Sequence, residues 1–507
     1  MESLNLCQIL PLILCILLLF LILKKLKSPK FSSTIKLPPG PTKLPIIGNI
    51  FQLLGDHPHR RLRDLANEYG PLLLLKLGEI NHIVVTSSEV ASKVMKTHDI
   101  NFASRPEFLA TKMIFYDGSG IGFSPYGKYW SQLRKICTVE VLSAKRVQSF
   151  SFLRKEEGDN IVNKIRMARG SPVNLSEMFL FLTRTTISRA VFGRDIAHKK
   201  NFLNAMRDAS RHLSGFDIVD LFPSLKSLKF ISKLFISKFT PSRARLERVR
   251  QILDEILDEI FEEHQARNFT RHDCVEDIVD VLFRLQNQGE LDIPLTTDNI
   301  KAVLLDLFLP GTITSSATLE WAMSELIKNP NILKKVQLEV RNAFTGKEIM
   351  EEKDISKLPY LNMVIKETAR LHPAGPLLLP RVCRNTVELD GYTIPAGSRI
   401  MINAWAIMRE PKCWVDSETF RPERFEEATF DFKGSNFEYI PFGGGMRSCP
   451  GVTFAIAGIE YWLAQLLFHF DWELPGGMSP EELDMEEVFG LTISRKNDLL
   501  VVATPYK

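Results

Sequence analysis

Pro441-Phe442-Gly443-Gly444-Gly445-Met446-Arg447-Ser448-Cys449-Pro450-Gly451 places one cysteine behind three glycines and an arginine, and ahead of a Pro-Gly turn. Glycine tolerates a sharp loop and lets backbone N–H groups come close to a bound atom. A thiolate held in this way is a good axial ligand for haem iron, because hydrogen bonds from nearby N–H groups tune its charge. Arg447 carries the planar fork that suits a haem propionate. Three glycines alone would mark an ordinary surface turn. The full spacing Phe-x-x-Gly-x-Arg-x-Cys-x-Gly is far more restrictive.

The segment resembles the haem-binding loop of the cytochrome P-450 superfamily, and the resemblance runs along nearly the whole chain. It implies Cys449 as the metal ligand, Arg447 as a propionate contact and Phe442 beside the sulfur, with Gly445 and Gly451 shaping the loop. Trp130 and Arg134, at i and i+4, share a helix face. Arg381 follows Leu377-Leu378-Leu379-Pro380. The resemblance makes Trp130, Arg134 and Arg381 further propionate contacts, so that arginines balance two buried negative charges. Glu367 and Arg370 lie three apart on a predicted helix over 360–371, and Arg424 follows within Arg421-Pro422-Glu423-Arg424-Phe425. These three are implied to form a buried structural network behind the haem.

Asp306-Leu307-Phe308-Leu309-Pro310-Gly311-Thr312-Ile313-Thr314-Ser315-Ser316 runs into a helical continuation over 317–323. Glycine and β-branched residues weaken a helix locally, and threonine hydroxyls can bond back to carbonyls a turn earlier. A helix broken beside a haem leaves room for dioxygen and a water. The superfamily pattern here is a small residue, then Gly-x-Asp/Glu-Thr-Thr/Ser, whose acid and hydroxyl deliver protons. Gly311, Thr314 and Ser315 match it as catalytic residues; Pro310 and Ile313 depart from it. Proline removes a helical hydrogen bond, and isoleucine cannot relay a proton. Two consequences are open: waters or another acid compensate, or the chemistry shifts toward ring closure, desaturation or C–C coupling.

Outward from these motifs, the 507 residues suffice for a large core, and no linker, repeat or low-complexity tract divides the chain after residue 45. The net charge of +4 gives no argument for nucleic acid. Cys7, Cys15, Cys137, Cys274, Cys383, Cys413 and Cys449 form no C-x-x-C pair and no regular spacing, so neither a zinc site nor a disulfide framework is indicated. Leu4 to Leu23 is almost wholly apolar and is followed by Lys24, Lys25, Lys27 and Lys30. Roughly 20 apolar residues cross a bilayer as a helix, and the basic flank faces the cytosol. The expected organisation is a transmembrane signal-anchor over 1–23, a basic and proline-rich linker over 24–45, and a haem-binding catalytic domain over 46–507. The sequons at Asn174 and Asn268 would then stay unmodified.

Within the body, residues 78–86 read as a short hairpin, and a second strand cluster spans 386–402 around an Asp390-Gly391 turn. Ile252, Ile256 and Ile260 recur every fourth residue beside Leu253 and Leu257, an amphipathic helix. The fold class is mainly α with a smaller β-rich region, which the resemblance makes the cytochrome P-450 fold preceded by a transmembrane helix. Leu37-Pro38-Pro39-Gly40-Pro41, Leu319-Glu320-Trp321-Ala322-Met323 and Phe489-Gly490-Leu491-Thr492 are similar to the plant A-type group, family seventy-one above all. That similarity implies a single-pass endoplasmic-reticulum monooxygenase carrying haem b. Its electrons would come from NADPH through a separate NADPH-cytochrome P-450 reductase. The substrate would be a small hydrophobic plant metabolite, a terpenoid or an alkaloid. The implied pocket wall is Met113, Phe115, Leu307, Pro310, Ile313, Leu377, Leu378 and Leu491. A reductase-independent isomerase or dehydratase acting on a hydroperoxide, and a membrane-anchored haem sensor, are the competing readings.

Overall fold

Segments that repeat apolar residues every three or four positions become helices packed against one another. The computed structural model describes residues 35–196, 200–212, 218–224, 241–266, 275–347, 350–427 and 430–506. The expected anchor over 1–23 and the first part of the linker lie outside the described residues, as do Cys7, Cys15, Cys274 and Asn268.

The longest described helix, Thr297–Lys328, runs through the middle of the molecule. It begins at a capping box in which Thr296 Oγ1 accepts from the Asn299 N–H at 3.2 Å and Asn299 Oδ1 accepts from the Thr296 N–H at 3.0 Å. Helix Leu175–Phe192 packs along it, and Thr183 Oγ1 donates to the Thr312 carbonyl at 3.1 Å. The break expected near Gly311 is absent: the helix is continuous through Pro310. Phe308, Leu309 and Thr312 are buried on both sides of the proline, so tertiary packing holds the turn together. The threonine back-bonding is present, Thr312 and Thr314 donating to the Phe308 and Pro310 carbonyls at 2.7 Å each.

A second apolar helix, Val452–His469, leads away from the cysteine loop into the same core. Among the described residues these two helices alone are long and apolar enough to cross a membrane, and about half of each such stretch is buried in the protein. The amphipathic helix is Pro241–Ala266, with Leu253, Ile256, Leu257 and Ile260 inside.

The β-rich region joins distant parts of the chain. Leu72–Leu77 and Ile80–Val85 form an antiparallel hairpin whose last pair is Leu77 with Ile80. Arg399–Ile402 then adds in parallel to the second strand, and Arg381–Val382 closes the sheet. The hairpin therefore begins earlier than the 78–86 read from the sequence. Leu72, Leu73 and Leu75 are all buried, so the first strand lacks the alternation that marks a half-exposed strand. The second hairpin falls where expected: Val387–Leu389 pairs with Tyr392–Ile394. Asp390 at φ 51° and Gly391 at φ 74° make its turn. The Pro-Pro-Gly-Pro segment lies against the sheet, its Pro39 carbonyl accepting from the Leu74 N–H at 2.7 Å.

Glu367, Arg370 and Arg424 come together in the core. Both Glu367 oxygens accept from Arg370, at 2.7 and 2.9 Å, and Arg424 Nε donates to Glu367 Oε1 at 3.0 Å. Arg370 also donates to the Met408 and Ser417 carbonyls at 3.0 and 2.8 Å, tying helix Pro359–Leu371 to the segment that leads to the cysteine loop. Glu367 and Arg370 are wholly buried. Removing one partner of a buried pair leaves an uncompensated charge, so Glu367→Ala should destabilise the protein by about 3–5 kcal/mol. Glu367→Gln should lose less. Denaturant midpoints of the anchor-free protein measure both, and an unmoved midpoint for Glu367→Ala would deny the network its structural role.

Candidate functional site

Gly443 and Gly445 turn the cysteine loop through φ 71° and 67°, a region that suits glycine. At Gly445 a Cβ would meet the Met95 carbonyl oxygen at 2.1 Å and Asp99 Oδ2 at 2.3 Å, so the loop presses directly on the segment before it. Asp99 Oδ2 accepts from the Met446 N–H at 2.6 Å, and the Cys449 N–H donates to the Phe442 carbonyl at 2.9 Å. The Cys449 side chain is exposed by area, and it lines a cavity of about 860 Å³. Burial raises its thiol pKa, opposed by the Gly451 N–H and by the nearby Arg134 guanidinium. Cys137, Cys383 and Cys413 are free as well, but none of them lines the cavity.

The same cavity is lined by Gly311, Thr314 and Ser315 and by Leu307, Pro310 and Ile313, all from the long helix. Leu378, Leu491, Trp130 and Phe442 also reach it. Three of the expected wall residues do not. Phe115 is buried against Phe123, with ring centroids 5.9 Å apart, and Leu377 packs in a separate core with Leu77 and Val84. Met113 packs on the main core, its carbonyl accepting from Arg250 Nη1 at 3.1 Å. Leu378 sits at φ 51°, and this turn sends consecutive leucines to different surroundings. Phe489, Phe454, Ile187 and Val191 extend the apolar wall instead.

Four guanidiniums line the cavity; Arg105 and Arg447 are held by backbone carbonyls, Arg134 by Ser448 and Arg381 by a carboxylate and a carbonyl. Arg134 Nη1 donates to the Ser448 carbonyl at 2.7 Å, and Arg447 donates to the Ala103, Ile121 and Ser124 carbonyls at 2.6, 3.2 and 2.5 Å. Arg447 also stacks over the Trp130 ring at 4.0 Å, and the indole N–H donates to the Ile121 carbonyl at 3.1 Å. Arg381 pairs with Asp99 at 2.8 Å and donates to the Gly444 carbonyl at 2.8 Å. The fourth, Arg105, is a residue that sequence reasoning missed. It donates to the Gly122, Leu379 and Pro380 carbonyls at 3.0, 2.6 and 2.9 Å. Its only sequence signal is a lone cation inside Phe102-Ala103-Ser104-Arg105-Pro106.

Burial, with Arg381 and Arg134 beside it, lowers the Arg447 pKa to about 9, and burial lowers the other three as well. Against these four cations stand Asp99 behind the wall and Asp306 within it, so positive charge is in excess. A cavity with a thiol at its floor and incompletely compensated buried cations fits a macrocycle bearing iron and two propionates.

Asp306 is the only carboxylate among the described residues that line the cavity. Its Oδ2 accepts from the Gly122 N–H at 2.8 Å, and a Cβ on Gly120 would lie 2.1 Å from the same oxygen. Burial raises its pKa to about 7, against the pull of the Gly122 N–H and Arg105.

Residues 38–501 match the family profile described as cytochrome P-450. The chain is 48% identical over 490 residues to premnaspirodiene oxygenase of Hyoscyamus muticus, covering 96% of each chain. It is 47% identical over 506 residues to cytochrome P-450 71D7 of Solanum chacoense, covering 99% of this chain and 100% of that one. A zebra fish cytochrome P-450 solved with progesterone superposes with a TM-score of 0.73 at 25% identity, over 89% of this chain and 99% of that one. Near-complete coverage by plant relatives, with the cysteine loop facing a cation-rimmed cavity, establishes that the chain belongs to the cytochrome P-450 family as a plant family-seventy-one-like monooxygenase.

Proposed function

We propose that this monooxygenase is anchored in the endoplasmic-reticulum membrane by residues 1–23 and hydroxylates a small hydrophobic plant metabolite, a terpenoid by preference. Its electrons come from NADPH through a separate reductase. The observation that carries the reading is the cavity: a thiol floor, a cationic rim and a wall that is mostly apolar. The name of the Hyoscyamus relative supports the substrate class. The apolar run over 4–23 with its lysine flank supports the anchor.

Haem, when bound, supplies the one-electron and dioxygen chemistry that no side chain performs. Cys449 Sγ is the atom to hold its iron. Arg105, Arg134, Arg381 and Arg447 are the groups to hold its propionates; Trp130, expected to join them, has its one N–H on the Ile121 carbonyl and acts by stacking under Arg447. Leu307, Pro310, Ile313, Leu378, Leu491 and Phe489 orient an apolar substrate and exclude water. The Thr314 hydroxyl, on the cavity wall, can accept one hydrogen bond while it donates another, and so can pass a proton. The side chain of Ile313 cannot.

Cys449→Ala should abolish both the thiolate-type Soret shift of the reduced carbon monoxide complex and all turnover, since no other described cysteine lines the cavity. A variant that kept both would remove the ligand assignment. In the same assay, wild type with NADPH, reductase and labelled dioxygen should give labelled product, while turnover on hydroperoxide alone would favour an isomerase. Deleting residues 1–23 should release much of the protein from microsomes with haem loading intact; a truncated chain still fully integral would require a second inserted segment. Ile313→Asp should leave the product unchanged and alter rate or coupling only modestly. A shift of product toward hydroxylation from ring closure or desaturation would mean instead that the missing acid selects the chemistry.

A further inference from the structure

The long helix departs from the superfamily pattern at two positions, Pro310 and Ile313, and the geometry connects them. Proline has no N–H, so the carbonyl four residues earlier, that of Asp306, has no helical donor. Asp306, Pro310 and Thr314 stand at i, i+4 and i+8, one stripe of the helix, and all three line the cavity. Thr314 Oγ1 donates to the Pro310 carbonyl at 2.7 Å. The stripe thus carries the Asp306 carboxyl group and its carbonyl without a helical donor at one end, and the Thr314 hydroxyl at the other. It spans about 12 Å along the axis, a distance that a short file of waters can bridge. Apart from Ser315, beside Thr314, and Gly311, the rest of the helix wall is apolar: Leu307, Leu309 and Ile313.

We propose that Asp306 is the acid that passes protons along this stripe to Thr314, in place of the carboxyl group absent at Ile313. The inference rests on the monooxygenase reading given above. Each hydroxylation consumes one dioxygen, two electrons from the redox partner and two protons, and yields one hydroxylated product and one water. The Asp306 O–H bond breaks, its proton moves through water and the Thr314 hydroxyl to the reduced dioxygen, and the carboxylate takes its replacement from solvent. The groups facing Asp306 allow it to hold a proton near neutrality. Arg105 and Arg447 oppose protonation, while burial favours it and sets the pKa at about 7. Tyr129 and Cys137, which also face it, are both held in their protonated forms. The Gly122 N–H fixes one oxygen and so aims the group.

The test uses the haem-loaded full chain with reductase. Asp306→Asn keeps an acceptor for the Gly122 N–H but removes the acidic proton. It should show an unaltered thiolate-type carbon monoxide spectrum, with product per NADPH consumed falling about tenfold or more and hydrogen peroxide rising in its place. Adding Ile313→Asp to that variant should restore product formation. Infrared difference spectra of wild type against Asp306→Asn should contain a protonated carboxyl band at pH 6 that is lost by pH 8, on either side of the value near 7. Coupling in wild type should fall as pH rises through that value, because the ionised group has no proton to give.

Unchanged coupling in Asp306→Asn, or no carboxyl band in wild type at pH 6, overturns the proposal. If Asp306→Asn fails to load haem, wild-type coupling that is flat between pH 6 and 8 overturns it by itself, and coupling that falls supports it. A wild type lacking the thiolate spectrum would remove the monooxygenase reading first. An intact spectrum and labelled product with Asp306-independent coupling would remove this inference alone.

Discussion

Asp99 is a single buried carboxylate on which the position of Cys449 depends. One of its oxygens accepts the Met446 N–H, and the other takes Arg381, whose second Nη group reaches the Gly444 carbonyl. Three segments far apart in the chain therefore meet at one charge pair beneath the cysteine loop. A buried ion pair contributes little when exchanged for a well-packed apolar substitute, but breaking it exposes an unpaired charge to a poorly polarisable interior. The loop cannot move away from Asp99 without leaving that charge behind. Gly445 exists as glycine because the contact is so close.

The same rule shapes the rest of the cavity. Arg105, Arg134 and Arg447 are held by carbonyls, which orient a guanidinium but neutralise it only in part. Burial pulls their pKa values down, the mark of cations held ready for an anion. The Arg134 guanidinium also favours the ionised form of Cys449, against the burial that raises its thiol. Placing the cations around an apolar chamber reconciles two demands, since the chamber must be dry for substrate and charged where the cofactor meets the protein.

The long helix shows how local preference yields to packing. Read alone, a Pro-Gly-Thr-Ile-Thr run argues for a break. In the folded chain, buried neighbours on both sides keep the helix whole, although the threonine hydroxyls do bond back to the carbonyls a turn earlier. The irregularity survives as chemistry rather than shape: one carbonyl without a helical donor and one wall position without an acid. Membership of the P-450 family does not by itself say how such a helix manages protons, because the relevant acid lies two turns away.

What the sequence determined by itself was whatever is written in adjacent residues. The Asp390-Gly391 hairpin and the amphipathic stripe from Ile252 to Ile260 depend on contacts within a few positions, and spacing alone carried them; the cysteine loop and the Glu-x-x-Arg helix were legible as motifs, with their roles implied by the family resemblance. What only the tertiary structure decided was which distant groups meet. Asp99 and Arg105 look like ordinary surface residues in the sequence, and Asp306 reads as one acid at the start of an apolar run. Met113, Phe115 and Leu377 have the right character for a substrate wall, yet they pack elsewhere, because apolar residues suit a core and a pocket equally. Local chemistry depends on neighbours along the chain. Charge balance and cavity shape depend on neighbours in space, and only the fold chooses those.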